Sequence, residues 1–148
     1  MTTDALIKLF RRDLEKLKVE IDAYQTEDNL WISNDMISNS AGNLALHLVG
    51  NLNHFIGATL GNSGYVRLRD LEFSLKNVPK TELKIQIDET ITMVNSVLNT
   101  LTEDDLQKEY KRRVSEDYMT TEFFLVYLTI HLSYHLGQVN YHRRLLDE

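Results

Sequence analysis

Along most of this chain apolar positions recur every three or four residues rather than every second one, the spacing of helices that bury one face. The first run covers residues 3–24, where Leu6, Leu9, Phe10, Leu14, Leu17 and Ile21 form one stripe and Thr3 is the expected N-cap. The polar stretch QTEDNLWISNDMISNS predicts a loop with room for one helical turn, its Trp31 packed in the core rather than at a pocket mouth. A second helix is expected over 40–60, ending at LGNSG, where Gly61 and Gly64 can supply the positive φ that closes a helix. A third begins after Pro79, with Thr81 as its cap, and carries Leu83, Ile87, Ile91, Val94, Leu98 and Leu101 up to residue 102. The mixed segment EDDLQKEYKRRVSEDYMT reads as a loop or short hairpin, and a fourth helix covers 120–146.

One proline and six glycines interrupt this pattern rarely. The reading is an all-α single domain over 1–148, a four-helix bundle. NSGYVRLRDLEFSLKNVP is long for a tight helical hairpin, so the second and third helices are joined by a crossover.

Charge and composition then exclude several functions. The chain has 16 Lys plus Arg against 22 Asp plus Glu, a net charge of −6, and lacks the basic field that nucleic-acid backbones require. YKRRVSED is a mixed-charge surface run, too short for a phosphate-binding patch. With no cysteine, a thiolate nucleophile, a disulfide and a Cys-based zinc site are all excluded, and any metal must use His, carboxylate or water. The amphipathic start is unlike a signal peptide, and no apolar run approaches the roughly 20 residues of a membrane span, which points to the cytoplasm and away from membranes.

The candidate chemistry lies in the five histidines. His131 and His135 are one turn apart on a face of the fourth helix that also carries Phe124, Tyr127, Gln138 and Leu145, so that face is expected to look into the bundle. In the second helix Asn43, His47, Asn51 and His54 form a polar stripe on a segment that is otherwise apolar nearly all round, and a buried stripe of this kind needs a polar partner. The fourth helix supplies one, bringing His47 opposite His131 and His135. Two readings remain open on these residues: an ion held by three imidazoles, with Asn43, Asn51 and Gln138 orienting the rings or a bound water, or a hydrogen-bonded core network of His and Asn. His54 and His142 each lie about 10 Å of helix beyond a proposed ligand and are expected outside the site. Leu125, Leu132 and Leu136 form a second apolar stripe for a neighbouring helix or a second subunit, so a homodimer is expected.

These residues resemble the DinB/YfiT-like metal-binding four-helix bundles. LALHLVGNLNHFIG and IHLSYHLGQVNYHRRLL match that family's single histidine in the second helix and His-x-x-x-His in the last, as His47, His131 and His135. The GN at Gly50–Asn51, GYVRLRDLEF and YHLGQ look like one uncharacterised DinB-like subgroup, and the resemblance spans essentially the whole chain. It implies an up-down-down-up bundle and a divalent ion, zinc or nickel first, with iron and manganese also in range. For some members it implies transfer of a low-molecular-weight thiol such as bacillithiol, mycothiol or glutathione to an electrophile.

Two functions follow as expectations. One is a metal-dependent enzyme, a thiol transferase or a hydrolase; the other is a non-catalytic metal-binding or stress-response protein with a structural or vestigial site. Hydrolysis wants a base beside the water, and neither histidine stripe holds a carboxylate, although Asp35, Glu72 or Glu122 can enter from elsewhere. An apolar pocket above the histidines separates enzyme from binding protein. Arg67 and Arg69 either clamp an anionic substrate or pair with Asp70 and Glu72, and the pairing is the simpler expectation.

Overall fold

In the computed structural model, which describes residues 1–112 and 114–148, the chain is all-helical. Arg113, within the YKRRVSED run, lies outside the described residues. Among the described residues the extended pairing is one antiparallel bridge between Glu109 and Thr120, which closes the predicted hairpin.

Helix α1 (Thr2–Asp22) buries Leu6, Phe10, Leu14, Leu17 and Ile21, as its period requires, but leaves Leu9 39% exposed. Its N-cap is Met1 rather than Thr3: the Asp4 carboxylate accepts a hydrogen bond from the Met1 amino group at 3.1 Å, and Thr3 is buried inside the first turn. A 3-10 turn, Glu27–Trp31, seats Trp31 in the core against Gly42, where a Cβ would come within 2.7 Å of the indole ring.

Helix α2 (Ala41–Leu52) starts at Ser40, whose hydroxyl accepts from the Asn43 amide at 3.2 Å. Every residue of α2 except Val49 is buried, the environment its sequence demands. The helical path continues through a π-helical segment, Asn53–Ala58, and α3 (Thr59–Gly61). It ends on Asn62 at φ 50°, with Gly64 at φ 79°; Gly61 does not supply the left-handed turn, because its role is packing, a Cβ there falling 2.5 Å from Val97 Cγ2.

The crossover is not a plain loop. It contains α4 (Arg69–Ser74), which packs on α2 and was invisible to periodicity because six residues show less than two turns. Helix α5 (Lys80–Leu98) begins at Pro79, not Thr81, and its first amide is satisfied by the Glu27 carboxylate, which accepts from Lys80 N at 2.9 Å. It stops short of the expected boundary because Thr102 caps another helix, α6 (Glu103–Gln107), through a reciprocal pair with Asp105. Helix α7 (Thr121–Leu146) is capped by Thr120, whose hydroxyl accepts from Phe123 N at 3.1 Å.

Helix α1 packs on α5 and α7, while α2 packs on α4, α5 and α7. The core stripe of α7 is Leu125, Leu128, Leu132 and Val139, so of the two partners open to Leu125 and Leu132 it is neighbouring helices of the same chain that cover them. The histidine face therefore sits at the edge of the core: Phe124 is buried, but Tyr127 and Leu145 are exposed, contrary to the expectation that the whole face looks inward. No helix among the described residues is long and apolar enough to cross a membrane.

Leu48 is fully buried in α2 and contacts the common core. Leu48→Ala should destabilise the fold by about 2–5 kcal/mol. Urea unfolding should show a lower midpoint with an unchanged slope.

Candidate metal centre

The burial of α2 forces its polar stripe to find partners, and α4 and α7 supply them. His47 is 6% exposed and turns Nε2 toward α7, where it lies 3.2 Å from His131 Nε2. His135 Nε2 lies 3.1 Å from the same atom. One nitrogen from each of the three rings lies within 4.8 Å of the other two.

The far sides of the rings decide what those nitrogens offer. Glu72 Oε1 accepts from His47 Nδ1–H at 3.0 Å, and Gln138 Oε1 accepts from His135 Nδ1–H at 2.7 Å. Both acceptors hold the proton on Nδ1, so both Nε2 atoms present lone pairs to the common point. Arg67 Nη2 also lies 3.4 Å from His47 Nδ1, but the shorter contact to a carboxylate sets the tautomer. His131 is held neutral: burial, followed by the neighbouring His135, His47 and Arg67, pushes its pKa down from 6.5 to about 4. Its Nδ1 is buried without a hydrogen-bond partner. A neutral His131 carries one proton: on Nε2 it faces two lone pairs with a single N–H, and on Nδ1 it leaves three lone pairs converging, a donor set that suits a cation.

Glu72, on α4, is the site residue that reading the stripes could only offer as one of three candidates. Burial opposes its ionisation, but hydrogen bonds from His47 and Arg67 outweigh this and lower its pKa. Arg67 Nε reaches Oε2 at 2.9 Å and Nη2 reaches Oε1 at 2.9 Å, a two-pronged pair that occupies both oxygens. The GN motif has its physical reason here. A Cβ on Gly50 would overlap Glu72 Oε2, so only glycine lets the carboxylate reach His47 across α2. A glycine inside a buried helix, disfavoured by about 1 kcal/mol against alanine, was the available signal of a close approach.

The other sequence candidates separate. Asn43 does not touch the rings; its Nδ2 donates to the carbonyls of Glu72 and Leu75 at 2.9 and 2.8 Å, fastening the end of α4. Asn51 Oδ1 is buried without a partner beside the pocket described below. Asp35 is exposed and Glu122, in the first turn of α7, stands outside the three-histidine group. Arg69 stacks over Phe73 at 5.3 Å. His54 lies on the π-helical segment outside the group. His142 is outside it as well, donating from Nε2 to the Ile32 carbonyl at 2.9 Å and accepting at Nδ1 from the Tyr24 hydroxyl at 2.6 Å.

A pocket of about 550 Å³ opens beside His47 and His131. Phe55, Phe124 and Tyr127 make its apolar walls, and Arg67 and Arg69 stand at one side.

A family model described as "Protein of unknown function (DUF1572)" matches residues 3–148. No curated protein matches the chain.

With no ion at the three histidines, a state a chelator ensures, the depressed pKa of His131 makes stability depend on pH. Above about pH 6.5 both folded and unfolded forms are neutral; between about 6.5 and 4 the unfolded chain takes up a proton that the folded one refuses. Stability should therefore fall as pH drops through that window, and His131→Gln should flatten the fall when unfolding is measured across a pH series.

Proposed function

The chain belongs to this family of unknown function (DUF1572), and we propose that it is a divalent-metal protein of the DinB/YfiT-like kind, an up-down-down-up four-helix bundle whose ion presents a small thiol or another anionic group to an electrophile. The observation that carries this reading is the convergence of three imidazole Nε2 atoms, two of them fixed as lone-pair donors by Glu72 and Gln138. Zinc or nickel suits three imidazoles best, with iron or manganese behind. Three protein ligands leave at least one coordination position for an outside group.

A bound divalent ion supplies Lewis acidity, lowering the pKa of a thiol or other acid at neutral pH. The rest falls to the chain. Glu72 holds His47 in its tautomer and orientation, and Gln138 does the same for His135. The aromatic walls exclude water and take an apolar body, while Arg69 offers positive charge at the pocket side. Because the chain has no cysteine, any thiol comes from the ligand. Hydrolysis is the weaker reading, since both oxygens of Glu72 are occupied by His47 and Arg67 and cannot serve a water as base.

Protein purified without an affinity tag should carry a divalent ion by elemental analysis. His131→Ala should remove it while circular dichroism stays unchanged, and Glu72→Gln should weaken metal affinity by about 10–100-fold. The functional assay offers bacillithiol, glutathione and mycothiol with monochlorobimane to the metal-loaded wild type and to His131→Ala. Turnover lost in the mutant supports thiol transfer. An ion bound without any such difference replaces the enzyme reading with that of a metal-binding or stress-response protein.

A further inference from the structure

Helix α7 carries an apolar face that nothing among the described residues covers. Phe123, Tyr127, Ile130, Tyr134, Tyr141 and Leu145 are each between 53% and 64% exposed. At 100° per residue they fall within about 40° of one line down the helix. The opposite flank of the exposed surface is polar, with Glu122, Thr129, Ser133 and Asn140, so the apolar line is a defined seam and not a general property of the helix. It is also separate from the core stripe of Leu125, Leu128, Leu132 and Val139.

We infer that this seam is the interface of a homodimer in which α7 packs antiparallel against α7 of a second copy, its two-fold axis crossing the seam midway between Tyr134 and Gly137. Two observations select a second copy as the occupant. The steps of four, three and four residues from Phe123 to Tyr134 resume from Gly137 to Tyr141, a near-3.5-residue repeat that suits a long helix as partner. Gly137 interrupts the line of large side chains, and a Cβ built there meets nothing within 4 Å, leaving a notch in the seam. An antiparallel pair about that axis places Tyr134 over the partner subunit's Gly137 and Ile130 over the partner subunit's Tyr141, so bulk meets notch and the same face completes itself. Antiparallel alignment also sets the helix dipoles favourably.

The exposed surface is of the order a stable dimer uses. Aromatic and aliphatic side chains exposed to this degree offer roughly 700 Å² per copy, near the about 800 Å² per partner of a standard stable interface. Leu9 on α1, 39% exposed beside Ile130 and Tyr134, extends the patch sideways. Docking has a consequence for the histidines: Phe123 and Tyr127 also line the large pocket, and Tyr141 and Leu145 line a second cavity of about 280 Å³ beside Gln138. A second copy on this seam would wall the outer side of both.

Sedimentation velocity on the wild-type chain should give a dimer at micromolar concentration. Tyr134→Glu, which puts a charge at the centre of the seam, should weaken association by about two orders of magnitude or more with circular dichroism unchanged. Register is tested by cysteines, since the chain has none of its own. Ile130→Cys with Tyr141→Cys in one chain should give a disulfide-linked dimer under mild oxidation, because those positions are about 16 Å apart along one helix and meet only between copies. A wild-type monomer, a folded Tyr134→Glu variant that stays dimeric, or ready cross-linking of Phe123→Cys, which only parallel helices bring together, would overturn the proposal. So would a monomer that co-sediments with phosphatidylcholine vesicles, which would make the seam a membrane-contact face.

Discussion

The rest of the structure depends on one buried contact, the Glu72 carboxylate against His47 across the face of α2. Helix α2 is covered on nearly every side, so a polar group on it has no water to turn to, and an unpaired one costs about 1–3 kcal/mol. Bringing a carboxylate into that position adds a charge that must be paired as well. Arg67 supplies the pairing, Gly50 the space, and Asn43 the anchor that holds the end of α4 in place. A crossover that looks like connecting chain thus becomes part of the site, since α4 exists to deliver one side chain to one ring.

That contact also orders the chemistry around it. With the Nδ1 proton of His47 committed to Glu72 and that of His135 to Gln138, two lone pairs point at His131, whose neutrality burial enforces. Such an arrangement has at most one donor, the His131 Nε2–H, for two acceptors at its centre, and its three nitrogens are placed so that they could hold a cation. The pocket beside it has aromatic walls and is basic at one edge, where Arg67, which pairs with Glu72, also stands.

Helix α7 divides these tasks by angle. One flank is core, the next carries the two histidines, the next is the exposed aromatic seam, and the last is polar. A helix used on three sides has little net amphipathicity, and this is why reading it as two-faced went astray. Phe124 is buried beside the histidines, but Tyr127 and Leu145, on the same side by spacing alone, are exposed, and Leu125 and Leu132 face neighbouring helices rather than a second subunit.

The periodicity of the chain determined by itself that it is all-helical, where its long helices run, which stripe of α1 is buried and that α2 is central, because these are local consequences of spacing every three or four residues. It also brought His47, His131 and His135 together, since two buried polar stripes on different helices have few alternatives to each other. Boundaries slipped for separate reasons: Glu27, distant in sequence, serves the start of α5, Gly61 lies against Val97 while Asn62 turns left-handed, and the local pair of Thr102 with Asp105 caps α6 instead of prolonging α5. Only the tertiary structure decided the role of Glu72, the purpose of Gly50 and the separation of Asn43 from the rings. Those depend on the path of the crossover over α2, and a path through space leaves no period in a sequence.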